Sequence, residues 1–420
     1  MSQRTIIANC KLVTSLGSKA KKGAEMSELH TLDNAFVFYE DGIIKATGKM
    51  EDLELLGIAG TAEWIDAEGR VLLPGFVDSH THLVFGGFRA DEFSWRLKGD
   101  SYMSIMQRGG GIQSTVNATR TTDKKDLEDR ARWFIDRMIE MGVTTVEAKS
   151  GYGLDVDTEI KMLDALNDLA KDNDRKIDIV VTYLGAHAVP KEYAAKCSAY
   201  CDLIIDEMLP KVKGKAKFFD IFTEKNVFEI EDSRRLLQAA KDAGMSLKLH
   251  ADEIVQLGGA ELAAEMKAVS ADHLLHISDE GIRKMAEAGV VATLLPPTAF
   301  ALKESYAPAR KLIDGGCSVA LATDLNPGSC FSGSIPLTIA LACIYMNMNI
   351  KEVVTALTIN GAAALGLADK IGTIEPGKQA NLVLLDFPSI DFLPYYVSMN
   401  CVNTTIYNGK VVYSRERIKF

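Results

Sequence analysis

Apolar residues recur along the chain in two rhythms, and at both ends the rhythm is that of strands. Ala35-Phe36-Val37-Phe38-Tyr39-Glu40 runs into Asp41-Gly42 and returns as Ile43-Ile44-Lys45-Ala46, the two-residue-turn signature of a β-hairpin. Near the other end, residues 402–407 lead into Asn408-Gly409 and return as Lys410-Val411-Val412-Tyr413, and Asn381-Leu382-Val383-Leu384-Leu385-Asp386 reads as one more strand. Neither terminal segment is large enough to bury a good core alone. Residues 1–70 and 370–420 are therefore expected to form one small composite β-sandwich domain, with residues 71–369 inserted between its halves.

The middle alternates short apolar runs with amphipathic stretches. The runs at 71–78, 143–149, 177–184, 218–223, 246–250, 269–274, 290–295 and 317–323 read as eight strands. Between them, Leu127, Ala131, Phe134, Ile135 and Met138, or Leu236, Leu237 and Ala240, recur at helical spacing. Eight strands alternating with helices over about 300 residues predict a (β/α)8 TIM-type barrel, an α/β fold. A doubly wound open sheet would need a glycine-rich phosphate turn after its first strand. Gly109-Gly110-Gly111 follows no strand and reads as a loop or hinge.

Charge and cysteine usage narrow the function. The net charge of −10 argues against nucleic acid or an anionic membrane as the main partner, because both need a basic face. The amino-terminal residues hold no apolar run long enough for a signal peptide, and residues 337–346, the longest apolar stretch, are too short to span a bilayer. That stretch suits either a subunit interface, with a homodimer as the expected assembly, or the outer helix layer of the barrel. Seven scattered cysteines without a Cys-x-x-Cys pair fit a reducing, cytoplasmic setting. Cys197 and Cys201 share a helix face and read as packing residues in preference to metal ligands.

Barrel enzymes carry their reactive groups at the carboxyl ends of the strands. Five of the seven histidines fall there: His80 and His82 after the first strand, His187 after the third, His250 after the fifth and His273 after the sixth. Only His30 and His276 lie elsewhere. Two residues apart on an extended segment, His80 and His82 project to one side. His250 from across the barrel and Asp324 from the last strand can join them, and three nitrogens with one carboxylate suit one Zn²⁺ or iron ion. Glu253 and His273 are then candidates for moving protons. Arg89 reads as a two-point clamp for a substrate carboxylate, or as a solvated surface arginine. Tyr152 either reaches the pocket or packs in its loop, and Asn326-Pro327-Gly328-Ser329 is either a turn that aims N–H groups at an anion or a plain turn.

The segment Pro74-Gly75-Phe76-Val77-Asp78-Ser79-His80-Thr81-His82, together with His250, His273, Asp324 and the tail Gly372-Thr373-Ile374-Glu375-Pro376-Gly377, resembles the amidohydrolase superfamily. Lys149-Ser150-Gly151-Tyr152-Gly153-Leu154, Gly185-Ala186-His187-Ala188, His250-Ala251-Asp252-Glu253 and Thr323-Asp324-Leu325-Asn326-Pro327-Gly328-Ser329 resemble one branch of it, the hydrolases that open an imidazolone ring in histidine degradation. The resemblance implies hydrolysis of the cyclic amide C–N bond of 4-imidazolone-5-propanoate to N-formimidoyl-L-glutamate, the third step of that pathway. It implies a single Zn²⁺ or iron ion held by His80, His82, His250 and Asp324, with Glu253, His273 and Asp324 as the catalytic groups. Arg89, Tyr152, His187, Glu253, Asn326, Gly328 and Ser329 are by the same resemblance the contacts to a small substrate with a carboxylate. The fourth strand ends without the lysine that binuclear relatives carbamylate, although Lys225 follows closely. A cyclic amidine or nucleobase deaminase is the rival enzyme reading. A scaffold that has lost its chemistry would lack ligands, and none is missing.

Overall fold

The computed structural model describes residues 3–53, 57, 62–100, 108, 110–172 and 176–416; Gly109 of the triple-glycine run lies outside them. Period-two alternation sorts the amino-terminal strands onto two faces. From β1 (Arg4–Thr14), Ile6 and Ala8 pack with Phe36 and Phe38 of β2 (His30–Glu40), while Ile7 and Cys10 pack with Val37 and Tyr39 on the other side. β2 turns into β3 (Ile43–Lys49) through Asp41 and Gly42, both at positive φ (+49° and +78°), as a tight hairpin turn requires. β4 (Glu63–Asp66) and β5 (Val71–Pro74) run parallel to β1.

The single strand expected over 71–78 is in fact two. β5 belongs to the terminal sheet, and β6 (Phe76–Asp78) is the first strand of the barrel. The break falls at Gly75, where a Cβ would lie 2.2 Å from Thr144 Oγ1, so only glycine lets the chain pass from one sheet to the other this closely.

Seven further parallel strands follow: β7 (Val143–Lys149), β8 (Asp178–Ala186), β9 (Phe218–Thr223), β10 (Ser246–Ala251), β11 (Ser270–His273), β12 (Val291–Leu294) and β13 (Ser318–Leu321), each paired with the next. The ring closes between β13 and β6 through residues just past both strands. Asp324 N–H donates to His80 O (3.1 Å), His82 N–H to Leu325 O (2.8 Å), and the buried Asp78 carboxylate accepts from Thr323 N–H and Oγ1 (3.0 and 2.6 Å). Closure and the metal-ligand candidates thus share the same residues.

β14 (Leu382–Leu385), β15 (Val402–Tyr407) and β16 (Lys410–Ser414) return to the terminal sheet, whose order is β16-β15-β14-β5-β1-β2-β3 with β4 also on β1. Both chain ends therefore build one sheet. Its inner strands face two ways: Leu72, Leu382 and Leu384 fill the sheet's own core, while Val71, Leu73, Val383 and Leu385 join the large barrel core. The apolar stretch over 337–346 is largely the helix Ile335–Tyr345, buried from Thr338 to Ala342. Among the described residues no helix is long and apolar enough to cross a membrane.

Candidate metal centre and active site

The segment after β6 carries His80 and His82 into the barrel mouth because Thr81 between them turns the other way, donating to Glu147 O of β7. From the opposite side β10 supplies His250, whose ring centroid lies 4.6 Å from that of His80 and 5.6 Å from that of His82. Asp324, just past β13, places Oδ1 3.5 Å from both His80 Nε2 and His82 Nε2, while Thr298 Oγ1 donates to Oδ2 at 2.6 Å. Asp324 adopts φ +54°, an uncommon conformation for a non-glycine residue that turns its carboxylate inward.

Three atoms of this set, His80 Nε2, His250 Nε2 and Asp324 Oδ1, are buried with no hydrogen-bond partner among the described residues. Burial without partners is costly unless something polar fills the gap. His80, His82 and Asp324 each place a donor atom within 4.8 Å of the others, His80 does the same with His250 and His273, and imidazoles with one carboxylate around that gap fit a divalent cation. Burial, with Lys149 and the neighbouring histidines adding to it, holds His80 well below the usual imidazole range. Burial together with His187 and His250 does the same for His82, so both rings are neutral, as metal ligands must be. Burial pushes Asp324 up to about 6.

Beneath these four side chains lies a layer of buried charge. His80 Nδ1–H donates to Asp272 Oδ2 (2.6 Å) and His250 Nδ1 faces the Asp220 carboxylate (3.1 Å), which aims each Nε2 at the centre. Burial opposes charge on His250, but Asp220 outweighs it and draws the ring's affinity for protons upward. Lys149 Nζ reaches Asp220 (2.7 Å), Glu147 (2.8 Å) and Asp272 (3.8 Å), and Lys248 Nζ reaches Glu147 (3.0 Å) and Asp272 (3.6 Å). Glu147, Asp220, Asp272 and Lys248 escape a reading that looks only for ligands. Their sign in the sequence is a charged residue inside an otherwise apolar barrel strand, where charges are retained only in pairs.

Above the candidate ligands opens a cleft of about 220 Å³. His187 stacks on His82 (5.0 Å between centroids, 15° between planes), and its Nδ1–H donates to Gly151 O at 3.0 Å. Burial pulls it down to about 3. Tyr152 lies beside both rings, its hydroxyl kept protonated by burial. His273 Nε2 sits 3.5 Å from Glu253 Oε2, and burial followed by Asp324 pushes Glu253 up to about 8. His273 and Leu274 hold consecutive left-handed conformations (φ +75° and +61°), which bend the chain after β11 toward the cleft.

Arg89 also lines the cleft, beside Asn326 and Ser329, with its Nε unpartnered and Glu92 3.9 Å from Nη1. Its guanidinium passes over Gly328, where a Cβ would sit 1.2 Å from Nη2. Arg96, which the sequence reading does not single out, donates to Gly328 O at 3.0 Å. The N–H groups of Gly328 and Ser329 both donate to Asn326 Oδ1 at 2.8 Å, so in this structure they brace the turn. Lys225 is exposed and its backbone N–H donates to Glu224. All twelve predicted site residues converge on this one end of the barrel.

Comparison with known proteins agrees with this geometry. Residues 71–412 match the amidohydrolase family model, a family generally dependent on metal. The imidazolonepropionase of Phocaeicola vulgatus is 58% identical over 417 residues, covering 99% of this chain and all of its own. That of Bacteroides thetaiotaomicron is 59% identical over 411 residues, covering 97% and 99%. Among solved structures, a 5-methylcytosine deaminase from Klebsiella pneumoniae shares the fold (TM-score 0.73, 20% identity, 99% and 100% coverage). The chain is a hydrolase that belongs to the amidohydrolase family and, within it, groups with the imidazolonepropionases.

Proposed function

We propose that the chain hydrolyses the cyclic amide C–N bond of 4-imidazolone-5-propanoate, giving N-formimidoyl-L-glutamate, with one Zn²⁺ or iron ion held by His80, His82, His250 and Asp324. The carrying observation is that a single cleft is lined by three of those groups, His82, His250 and Asp324, with His80 packed against them, and by Arg89, its Nε unpartnered. When bound, the ion supplies the Lewis acidity that activates water at neutral pH. Arg89 receives the substrate carboxylate, and the Tyr152 hydroxyl and the neutral His187 ring orient the imidazolone above the ligands. Glu253, poised near neutrality, takes a proton from the attacking water. His273 donates to the carbonyl oxygen as negative charge develops there. Glu253 and Asp324 then pass the proton to the ring nitrogen as the C–N bond opens, so one water is consumed and no ammonia leaves.

The test is an assay on freshly generated imidazolonepropionate with metal analysis of the same sample. Turnover without ammonia supports the reading; metal-loaded protein that is inert on imidazolonepropionate, or that releases ammonia from a cyclic amidine, overturns it in favour of a deaminase. Arg89→Met is expected to raise KM at least tenfold with metal content unchanged. An unaltered KM would remove Arg89 from substrate recognition. The active unit is proposed to be a cytoplasmic homodimer, with exposed Phe300, Ile344 and Tyr345 as the apolar surface a second copy covers. Sedimentation equilibrium at monomer mass across the micromolar range would refute that assembly.

A further inference from the structure

Outside the cleft, a second group of metal-ligating side chains gathers where the helix Cys197–Leu203 meets the start of the helix Ile230–Asp242. Cys197, Cys201 and Asp232 each place one donor atom within 4.8 Å of the others. The two cysteines are one helical turn apart, so both sulfurs face the same neighbour. Cys197 Sγ lies 3.5 Å from Asp232 Oδ2 and 3.6 Å from the Val227 carbonyl oxygen. These separations have a meaning in coordination chemistry. Zinc–sulfur bonds of about 2.3 Å and zinc–oxygen bonds of about 2.0–2.2 Å at the tetrahedral angle set sulfur and oxygen about 3.5–3.7 Å apart.

We propose that Cys197, Cys201, Asp232 and the Val227 carbonyl form a second site, for a thiophilic divalent cation of the zinc class. Two sulfurs, a carboxylate oxygen and a carbonyl oxygen complete four-coordination. Cys201 is buried, while Cys197 and Asp232 are half-buried and give the ion its way in. Binding forms two metal–sulfur bonds and releases the two thiol protons to solvent, with no change of oxidation state. The ion clips the two helices that flank β9 and holds the Val227 backbone, whose side chain lines the substrate cleft.

The test compares the full chain with the Cys197→Ser/Cys201→Ser double variant, both stripped by chelator and reloaded with Co²⁺ and, separately, with Zn²⁺. The parent is expected to take up one more equivalent than the variant and to show thiolate-to-cobalt charge-transfer absorption that the variant lacks. The cleft's own set contains no sulfur, so this signal is independent of the ion there and of turnover. Equal stoichiometry in the two proteins, or a parent without the band, overturns the proposal. Alkylation mapped by mass spectrometry on the unmodified parent needs no variant: Zn²⁺ is expected to slow modification of Cys197 at least tenfold but not that of half-buried Cys343. An unchanged Cys197 rate also overturns it.

Discussion

Glu253 combines a functional placement with a cost to the fold. Burial and Asp324 raise its carboxyl to about 8 in the folded, metal-free chain, whereas an unfolded glutamate titrates near 4.5. Between those values the folded state binds more protons than the unfolded one, so stability falls as pH rises through that window. With 16% of the side chain exposed, solvent screens part of the effect. Glu253→Gln is expected to lower kcat by about 10²- to 10⁴-fold. In the metal-free form it should also gain about 1 kcal/mol over the parent at pH 7.5, with the difference shrinking toward pH 5. Denaturant titrations at both pH values check the sign; a difference that grows toward low pH would contradict the burial of an ionised carboxyl. Gly328 makes a separate prediction. Its Ala variant must displace the Arg89 guanidinium, so KM is expected to rise at least tenfold, with the melting temperature within a few degrees of the parent's.

At the scale of elements, the barrel strands carry two layers of information, and only one is easy to see in the sequence. The strand ends announce themselves: five histidines and Asp324 sit after apolar runs that β6 to β13 reproduce within a few residues. The charges one layer down are harder to assign, because partners such as Lys149, Asp220 and Asp272 come from strands far apart in the chain and meet only when the ring forms. Removing one member leaves buried charge uncompensated, which typically costs about 3–5 kcal/mol. Lys149→Met is accordingly expected to lower stability by that order and to weaken metal retention at least tenfold through loosened Asp220 and Asp272. Chelator competition measures the second effect, and unchanged retention in a folded variant would show that the histidines need no such brace. The one expected strand over 71–78 failed for a related reason: nothing apolar distinguishes Val71–Pro74 from Phe76–Asp78, and only their partners in two different sheets do.

For the whole molecule, the barrel and the terminal sheet share one core. Val13, Val71, Leu73, Val383, Leu385 and Val402 lie in the same buried cluster as the barrel strands and helices. Thr405 Oγ1 donates to Ile139 O, and Tyr407 Oη to Asp178. Metal-loaded protein is therefore expected to unfold in a single calorimetric transition, with near- and far-ultraviolet circular dichroism coincident. Two separated transitions would make the terminal sheet an independent unit. Chelation should lower that transition, because an ion present at a hundredfold excess over its dissociation constant adds about 2.7 kcal/mol.

The sequence by itself determined what local chemistry dictates: period-two hairpins at the ends, eight strands alternating with helices, and histidines two apart at a strand terminus. Those features depend on neighbours within a few residues. Tertiary structure alone decided that the two ends share one sheet, that Gly75 divides a strand, and that His80 Nε2, His250 Nε2 and Asp324 Oδ1 are left buried beside one another without hydrogen-bond partners. Each of these depends on groups far apart in the chain, whose distances are set only when the ring closes between β13 and β6.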